Sequence, residues 1–253
     1  MRLSVCVPTF NSERLLPEVL APLAQVADEL VVFDSGSTDR TLQICASFGV
    51  APTHHPYDTH ARQMNRAVAA ARNDWVLCID SDEVLDADAV AAVKALKAGP
   101  EPDPGTAFRV RRHWYVLGKE VRAIYPVSSP DFPVRLFNRA RVQFNSAPVD
   151  DKPFGFERTE ILGGRMRHDT FYTLDEVFEK LNSYTSRVVR YSAIRPSLVR
   201  AVLSGFFAFL KWYFRKGGWR DGAVGLVAGV YASLYSFLKY FKAWYLHKAG
   251  AGR

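Results

Sequence analysis

The sequence predicts an α/β fold with a mostly parallel, Rossmann-like sheet, and three observations predict it. Strand-length runs recur at Leu3–Val7, Glu29–Phe33 and Trp75–Ile79, with segments of helical length between them. The run Trp75–Ile79 is apolar throughout, the pattern of a strand covered on both faces. Each run ends in turn-forming or acidic residues: Pro8-Thr9-Phe10-Asn11, Asp34–Asp39 and Asp80–Glu83. Right-handed crossovers put all three ends on one rim, where open α/β sheets bind ligands.

The elements follow in order. After the strand Leu3–Val7, Asn11 or Ser12 caps a helix reaching Ala27. Glu29–Phe33 is the second strand, followed by a helix over residues 40–48, a short strand over 50–53 and a helix over 60–72. Trp75–Ile79 is the fourth strand, and Asp86–Asp88 begins another helix. Gly99–Gly105, which contains Pro100, Pro102 and Pro104, breaks the pattern. Beyond it, Phe108–Val116 and Pro133–Phe137 alternate as antiparallel strands do. Thr173 and Glu176 form a capping box for a helix reaching Arg190.

Composition sets further bounds. At 48% hydrophobic residues over 253, the chain buries a real core and is not globally disordered. Three cysteines, Cys6, Cys45 and Cys78, are too few and too strand-bound for a disulfide frame or metal cluster. The N-terminus enters a strand without the basic and apolar regions of a secretory signal, so the expected site of action is cytosolic. The net charge of +7 is unevenly spread. From Arg187 onward, twelve basic residues face the single acid Asp221, leaving −4 on the first 186 residues. Basic residues alternating with long apolar runs, and no nucleic-acid motif, argue for an anionic membrane surface and against nucleic acid.

The tail has its own pattern. Residues 199, 202, 203, 206, 210, 213 and 214 are apolar at helical spacing, opposite a stripe of Arg200, Ser204, Lys211 and Arg215 that Phe207 interrupts. Gly217–Gly222 is a turn, and residues 223–238 carry no charge before Lys239. Neither segment reaches the roughly 20 apolar residues of a spanning helix, so an interfacial or re-entrant helical hairpin is expected. Gly225 and Gly229 have the spacing that lets its helices approach closely.

The rim carries the chemistry. Asp80, Asp82 and Glu83 follow a buried strand, and unpaired acids there repel unless a cation lies among them. A divalent ion held by one or two carboxylates plus substrate phosphates meets that need; the alternative is a solvated acidic turn capping the next helix. Asp34 either binds a nucleotide base or ribose or serves turn chemistry, while Ser37, Thr38 and Asp39 are ordinary caps.

Pro8–Asn11, Val32–Thr41 and Asp80–Glu83 resemble the ordered motifs of family-2 glycosyltransferases of the GT-A fold. Gln63–Ala67, Arg135–Asn138, His168, Glu179–Tyr184 and the tail motifs are similar to the lipopolysaccharide core β-1,4-glucosyltransferase branch. The resemblance implies a catalytic domain over 1–186, with a nucleotide-binding half (1–98) and an acceptor half (106–186), then a membrane-associating region over 187–253. It implies that Pro8, Phe10 and Asp34 hold the uracil and ribose of a UDP-sugar, with Asn11, Ser35, Ser81, Arg62 and Asn65 also toward the donor. Asp80 then lies near ribose and metal, and Asp82 binds Mg²⁺ or Mn²⁺. His168 is a further metal ligand or a structural histidine. Relatives carry Val-His-Glu where this chain has Val149-Asp150-Asp151, which makes Asp151 the expected general base, with Asp150 and Asp131 as rivals. The implied acceptor is a lipid-linked lipopolysaccharide core at the cytoplasmic face of the inner membrane. Polyprenyl phosphate, another glycan and a non-catalytic membrane module are the alternatives.

Overall fold

A computed structural model of the protein describes residues 1–145 and 151–250. The chain forms two compact units, one of Met1–Arg112 with Phe132–His168, the other of His113–Asp131 with Asp169–Arg253.

In the first unit the strands and helices alternate as β1 (Leu3–Thr9), α1 (Leu16–Ala24), β2 (Glu29–Asp34), α2 (Thr41–Ser47), β3 (Thr53–His54), α3 (His60–Ala70), β4 (Trp75–Cys78), β5 (Glu83–Leu85), α4 (Ala87–Ala98) and β6 (Thr106–Arg109). The main sheet has seven strands in the order Arg158–Ile161, β6, Val134–Asn138, β4, β1, β2, β3. β1 pairs in parallel with β2 and β4, and β2 with β3, while Val134–Asn138 is antiparallel to both its neighbours. The unbroken burial of β4 explains its lack of polar alternation. Beneath it, Cys6, Phe33, Met64, Val76, Phe137 and Phe144 share one core, and all three cysteines are buried and unpaired.

Three local expectations are corrected. α1 starts at Leu16, not at Asn11 or Ser12; the Ser12 carbonyl accepts from the Leu16 amide (3.1 Å), while its hydroxyl lies 2.8 Å from Ser81 Oγ. The expected strand Phe108–Val116 is two, Thr106–Arg109 and Arg112–Val116, which belong to different sheets. Glu83–Leu85, read as part of an acidic turn, is a strand antiparallel to Met166–His168, with His168 opposite Glu83.

The second unit holds α5 (Leu174–Tyr191), α6 (Leu198–Phe209) and α7 (Gly222–Gly250), with a π-helical turn at Leu210–Arg215 and a 3₁₀ turn at Gly218–Asp221. Thr173 Oγ1 accepts from the Glu176 amide (3.1 Å), and the Glu176 carboxylate accepts from Tyr172 N (2.9 Å), one residue earlier than a standard capping box. Residue 186 lies inside α5. Val116, Val121, Ile124, Phe171, Val177, Leu181, Val224 and Tyr231 form the core, so α7 is partly a core helix.

The tail differs from its expected form in one way. α7 is one helix of 29 residues, because nothing between the uncharged run and Lys239–Tyr245 breaks it. Counted from Gly218, this helix is long and apolar enough to cross a membrane by length and composition, although 39% of its most apolar window is buried within the protein. α6 turns its small residues inward and its large apolar residues outward. Ala201 and Gly205 are buried, and Ser204 Oγ donates to Ser236 O of α7 (2.9 Å). Val199, Val202, Leu203, Phe206, Phe207 and Phe214 are 49 to 70% exposed. Close approach comes from Gly205, whose added Cβ would lie 3.1 Å from Phe237 Cβ, and from Gly229, at 3.1 Å from Tyr213 Cβ. Gly225 instead abuts the 3₁₀ turn, 1.8 Å from Gly218 O on the same measure.

Candidate active site

Apart from Asp131 and its partner Trp114, the residues described below belong to the first unit. The three rim loops are tied to one another by side chains. Asn11, in the left-handed region at φ 46°, accepts from Thr38 N and donates its own amide to Ser37 Oγ, both at 2.9 Å. Asp39 accepts from Glu13 N (3.0 Å) and Thr41 N (2.9 Å), joining the first loop to the start of α2. The hydroxyls of Ser12 and Ser81 link the first loop to the third.

Asp34 ends β2 and is buried, at 2% exposure. Its Oδ1 accepts from Thr9 Oγ1 (2.9 Å) and Ser37 Oγ (2.5 Å), and its Oδ2 accepts from Gly36 N and Ser37 N (2.8 Å each). Burial pushes its carboxyl up, but the Ser37, Gly36 and Thr9 donors together hold it below the usual range. Four bonds use the accepting capacity of a carboxylate. Asp34 therefore holds the Ser35–Ser37 turn, and Phe10, 60% exposed, supplies an open ring on the neighbouring loop.

Asp80 is where the charge arithmetic changes. Its Oδ1 lies 2.7 Å from His60 Nε2, and its Oδ2 accepts from Arg135 Nη2 at 2.8 Å. Glu83, fully buried, accepts from Arg112 Nη1 (2.8 Å) and from Arg135 Nη2, while its other oxygen accepts from Asp80 N (3.2 Å). The repulsion among the acids is thus relieved by the protein's own cations: Arg135 and Arg112 under the turn, and His60 beside it. Burial raises the Asp80 carboxyl, but Arg135 and His60, with a contribution from His168, carry it well below the usual range. Burial depresses the His60 imidazole, but Asp80 and Asp151 carry it well above its ordinary value. Each group thus favours the charged form of the other.

The other sequence-expected residues fall as follows. Asp151 Oδ2 lies 2.8 Å from His60 Nδ1. Asp150 lies outside the described residues. Asp131 belongs to the second unit, where its Oδ1 accepts from Trp114 Nε1 (3.0 Å). Asn65 spends its side-chain amide on the backbone of Phe144, donating to its carbonyl and accepting from its amide, both 2.9 Å. Arg62 is largely exposed and pairs with Asp58 at 3.5 Å. Ser35 Oγ accepts from Gln63 Nε2 (3.1 Å), and Pro8 is half-buried on β1 opposite Phe33.

Asp82, one-third exposed, has its Oδ2 3.2 Å from His168 Nε2, a proximity set by the pairing of β5 with Met166–His168. Among the described residues no three His, Cys, Asp or Glu side chains form a complete metal cage. A divalent ion that arrives with a diphosphate needs only one or two protein ligands, and a carboxylate beside an imidazole fits that need. Asp80, with one hydrogen bond on each oxygen, keeps a second accepting position on each beside His60 and Arg135.

Sequence reasoning missed His60, Arg112 and Arg135. One signal was present. Arg135 interrupts Val134–Asn138, a strand buried at every position, and a charge there requires a partner.

Residues 4–103 match the family model described as Glycosyl transferase family 2. Lipopolysaccharide core biosynthesis glycosyltransferase LpsC of Rhizobium meliloti (strain 1021) is 26% identical, covering 97% of this chain and 93% of LpsC. An uncharacterized glycosyltransferase of Rickettsia typhi, RT0209, is 24% identical, covering 95% of this chain and 86% of its own. The crystal structure of S. aureus TarS 1-349 covers 99% of this chain and 92% of that one, at 16% identity and a TM-score of 0.43.

Proposed function

We propose, on the premise that residues 4–103 are a glycosyl transferase family 2 domain and the chain therefore a glycosyltransferase, that it moves a hexose from a UDP-sugar to a lipopolysaccharide-core acceptor with inversion. The observation that carries this reading is Asp80 and Asp82 just past the end of β4, with Asp151 linked to Asp80 through His60. The similarity to LpsC supports the acceptor class.

In a single displacement no protein nucleophile is needed. Asp151 takes the acceptor's hydroxyl proton as the new bond forms. Phe10 gives the base of the donor a ring to lie against, and the turn built on Asp34 offers it backbone and hydroxyl groups. Arg135 and His60 keep Asp80 ionised and fixed. Asp82 and His168 would hold Mg²⁺ or Mn²⁺, which when bound neutralises charge on the departing diphosphate. The test is transfer from UDP-glucose to truncated lipopolysaccharide core. Turnover is expected to fall at least about tenfold in EDTA and to return with Mn²⁺, since one lost electrostatic stabiliser costs more than 1.4 kcal/mol. Equal turnover in EDTA rejects the metal.

The outward apolar face of α6 supports peripheral seating on an anionic cytoplasmic membrane surface. Large apolar side chains face outward, and Arg195, Arg200, Lys211 and Arg215 are exposed around them. Because α7 contributes Val224 and Tyr231 to a protein core, we read it as the support for α6 and not as a span. Burying a phenylalanine is worth about 1.5–3 kcal/mol. The double change Phe206→Asp, Phe207→Asp is therefore expected to weaken binding to phosphatidylglycerol-containing vesicles by about 100-fold or more. Unchanged co-sedimentation would place the membrane contact elsewhere.

A further inference from the structure

Among the described residues, one side chain touches both an acid of the Asp80–Asp82 turn and the acid proposed as base. His60 opens α3, whose first turn is fixed by Thr59 Oγ1 accepting from Arg62 N (3.3 Å). Its two ring nitrogens face opposite ways, Nε2 2.7 Å from Asp80 Oδ1 and Nδ1 2.8 Å from Asp151 Oδ2. Carboxylates accept and do not donate, so both nitrogens act as donors.

The surroundings of Asp151 are set by the same helix. Just beyond it, Pro153–Phe154 pairs antiparallel with Gln143–Phe144, and Asn65, on α3, holds Phe144 by both backbone groups. The His60 ring meets Phe144 edge-on, with centroids 6.4 Å apart at 86°. α3 thus carries one residue that fixes the strand pair and another that fixes the carboxylate beside it. Among the described residues, Asp151 Oδ1 has no hydrogen bond, and the side chain is 19% exposed. One oxygen is anchored and the other is left for a substrate.

We propose that His60 is a positioning residue for the transfer reaction, holding Asp151 at a fixed distance from Asp80 with Oδ1 presented to the acceptor hydroxyl. The inference rests on the reading of Asp151 as general base. A base must sit within about 2.6–3.2 Å of the proton it removes, and an aspartate at a loop edge otherwise samples several rotamers. Two oppositely directed donors remove that freedom. The contribution of His60 is therefore orientation.

The test compares the full-length protein with His60→Ala, Asp151→Asn and the double variant, using UDP-glucose, Mn²⁺ and truncated lipopolysaccharide core. In His60→Ala, kcat is expected to fall about 10- to 100-fold, the range for a reacting group displaced by about 1 Å. The KM for UDP-glucose should stay near wild type, and the double variant should be no slower than Asp151→Asn alone. Multiplicative losses, or a loss confined to KM, overturn the assignment. A second measurement needs no turnover. In ¹⁵N-imidazole spectra, Asp151→Asn is expected to shift the Nδ1 resonance of His60 more than Nε2, and Asp80→Asn to do the reverse. If wild type transfers no sugar, the proposed function fails while the spectra still decide the bridge. An Nδ1 resonance indifferent to Asp151→Asn overturns it.

Discussion

Asp151→Asn is expected to slow sugar transfer by about 10²- to 10⁴-fold, the usual contribution of a general base, with UDP binding unchanged. The substitution keeps the size of the side chain and an oxygen that still accepts from His60 Nδ1. What it removes is the ability to take a proton. Steady-state kinetics with truncated lipopolysaccharide core, paired with calorimetric titration of UDP, separates the two effects. A turnover within a few-fold of wild type would move the base elsewhere, with Asp131 and Asp150 next in line. Loss of UDP binding would instead make Asp151 part of the donor site.

The largest expected effect on stability is at Arg135. Its guanidinium, 6% exposed, bonds both Asp80 and Glu83, and these two carboxylates hold it in its charged form. Arg135→Met leaves the fully buried Glu83 with Arg112 and strips Asp80 down to His60. Breaking a buried pair from one side costs about 3–5 kcal/mol, because a charge stays behind in a poorly solvating place. Arg62→Met supplies the contrast, since its 3.5 Å pair with Asp58 is exposed and worth at most about 1 kcal/mol. Urea unfolding of the two variants measures both. Comparable losses would mean that Arg135 acts through its volume and not its charge.

Much of the first unit was legible because burial leaves a direct mark on composition. A strand covered on both faces, such as β4, has no polar alternation, and Asp86 caps α4 through the Ala89 amide (2.8 Å) where local chemistry alone suggested it. What escaped was non-local. The carboxylates at 80–83 read as needing a metal because nothing nearby in sequence neutralises them. Arg135 arrives from a strand 55 residues away and His60 from 20 residues before. Ser12 was expected to cap α1 because a free hydroxyl does so; here the hydroxyl is taken by Ser81. The apolar spacing of α6 was legible, but the close fit of its small face against α7 was not. A helix with one small-residue face and one large apolar face has two ways to bury a surface. Gly205 and Ser204 fit so closely against α7 that the small face is the one turned inward.

The discontinuous second unit has a consequence for how such a chain can change. Its core joins Val116, Val121 and Ile124 from one stretch to Val224 and Tyr231 from another, so removing the C-terminal residues takes away half of a folded body. The exposed apolar side of α6 is therefore not a module that fusion or truncation at the chain end can add or delete. It can be retuned only one exposed side chain at a time, with Val199, Val202, Phe206 and Phe207 open to exchange while Ala201 and Gly205 stay fixed beneath them.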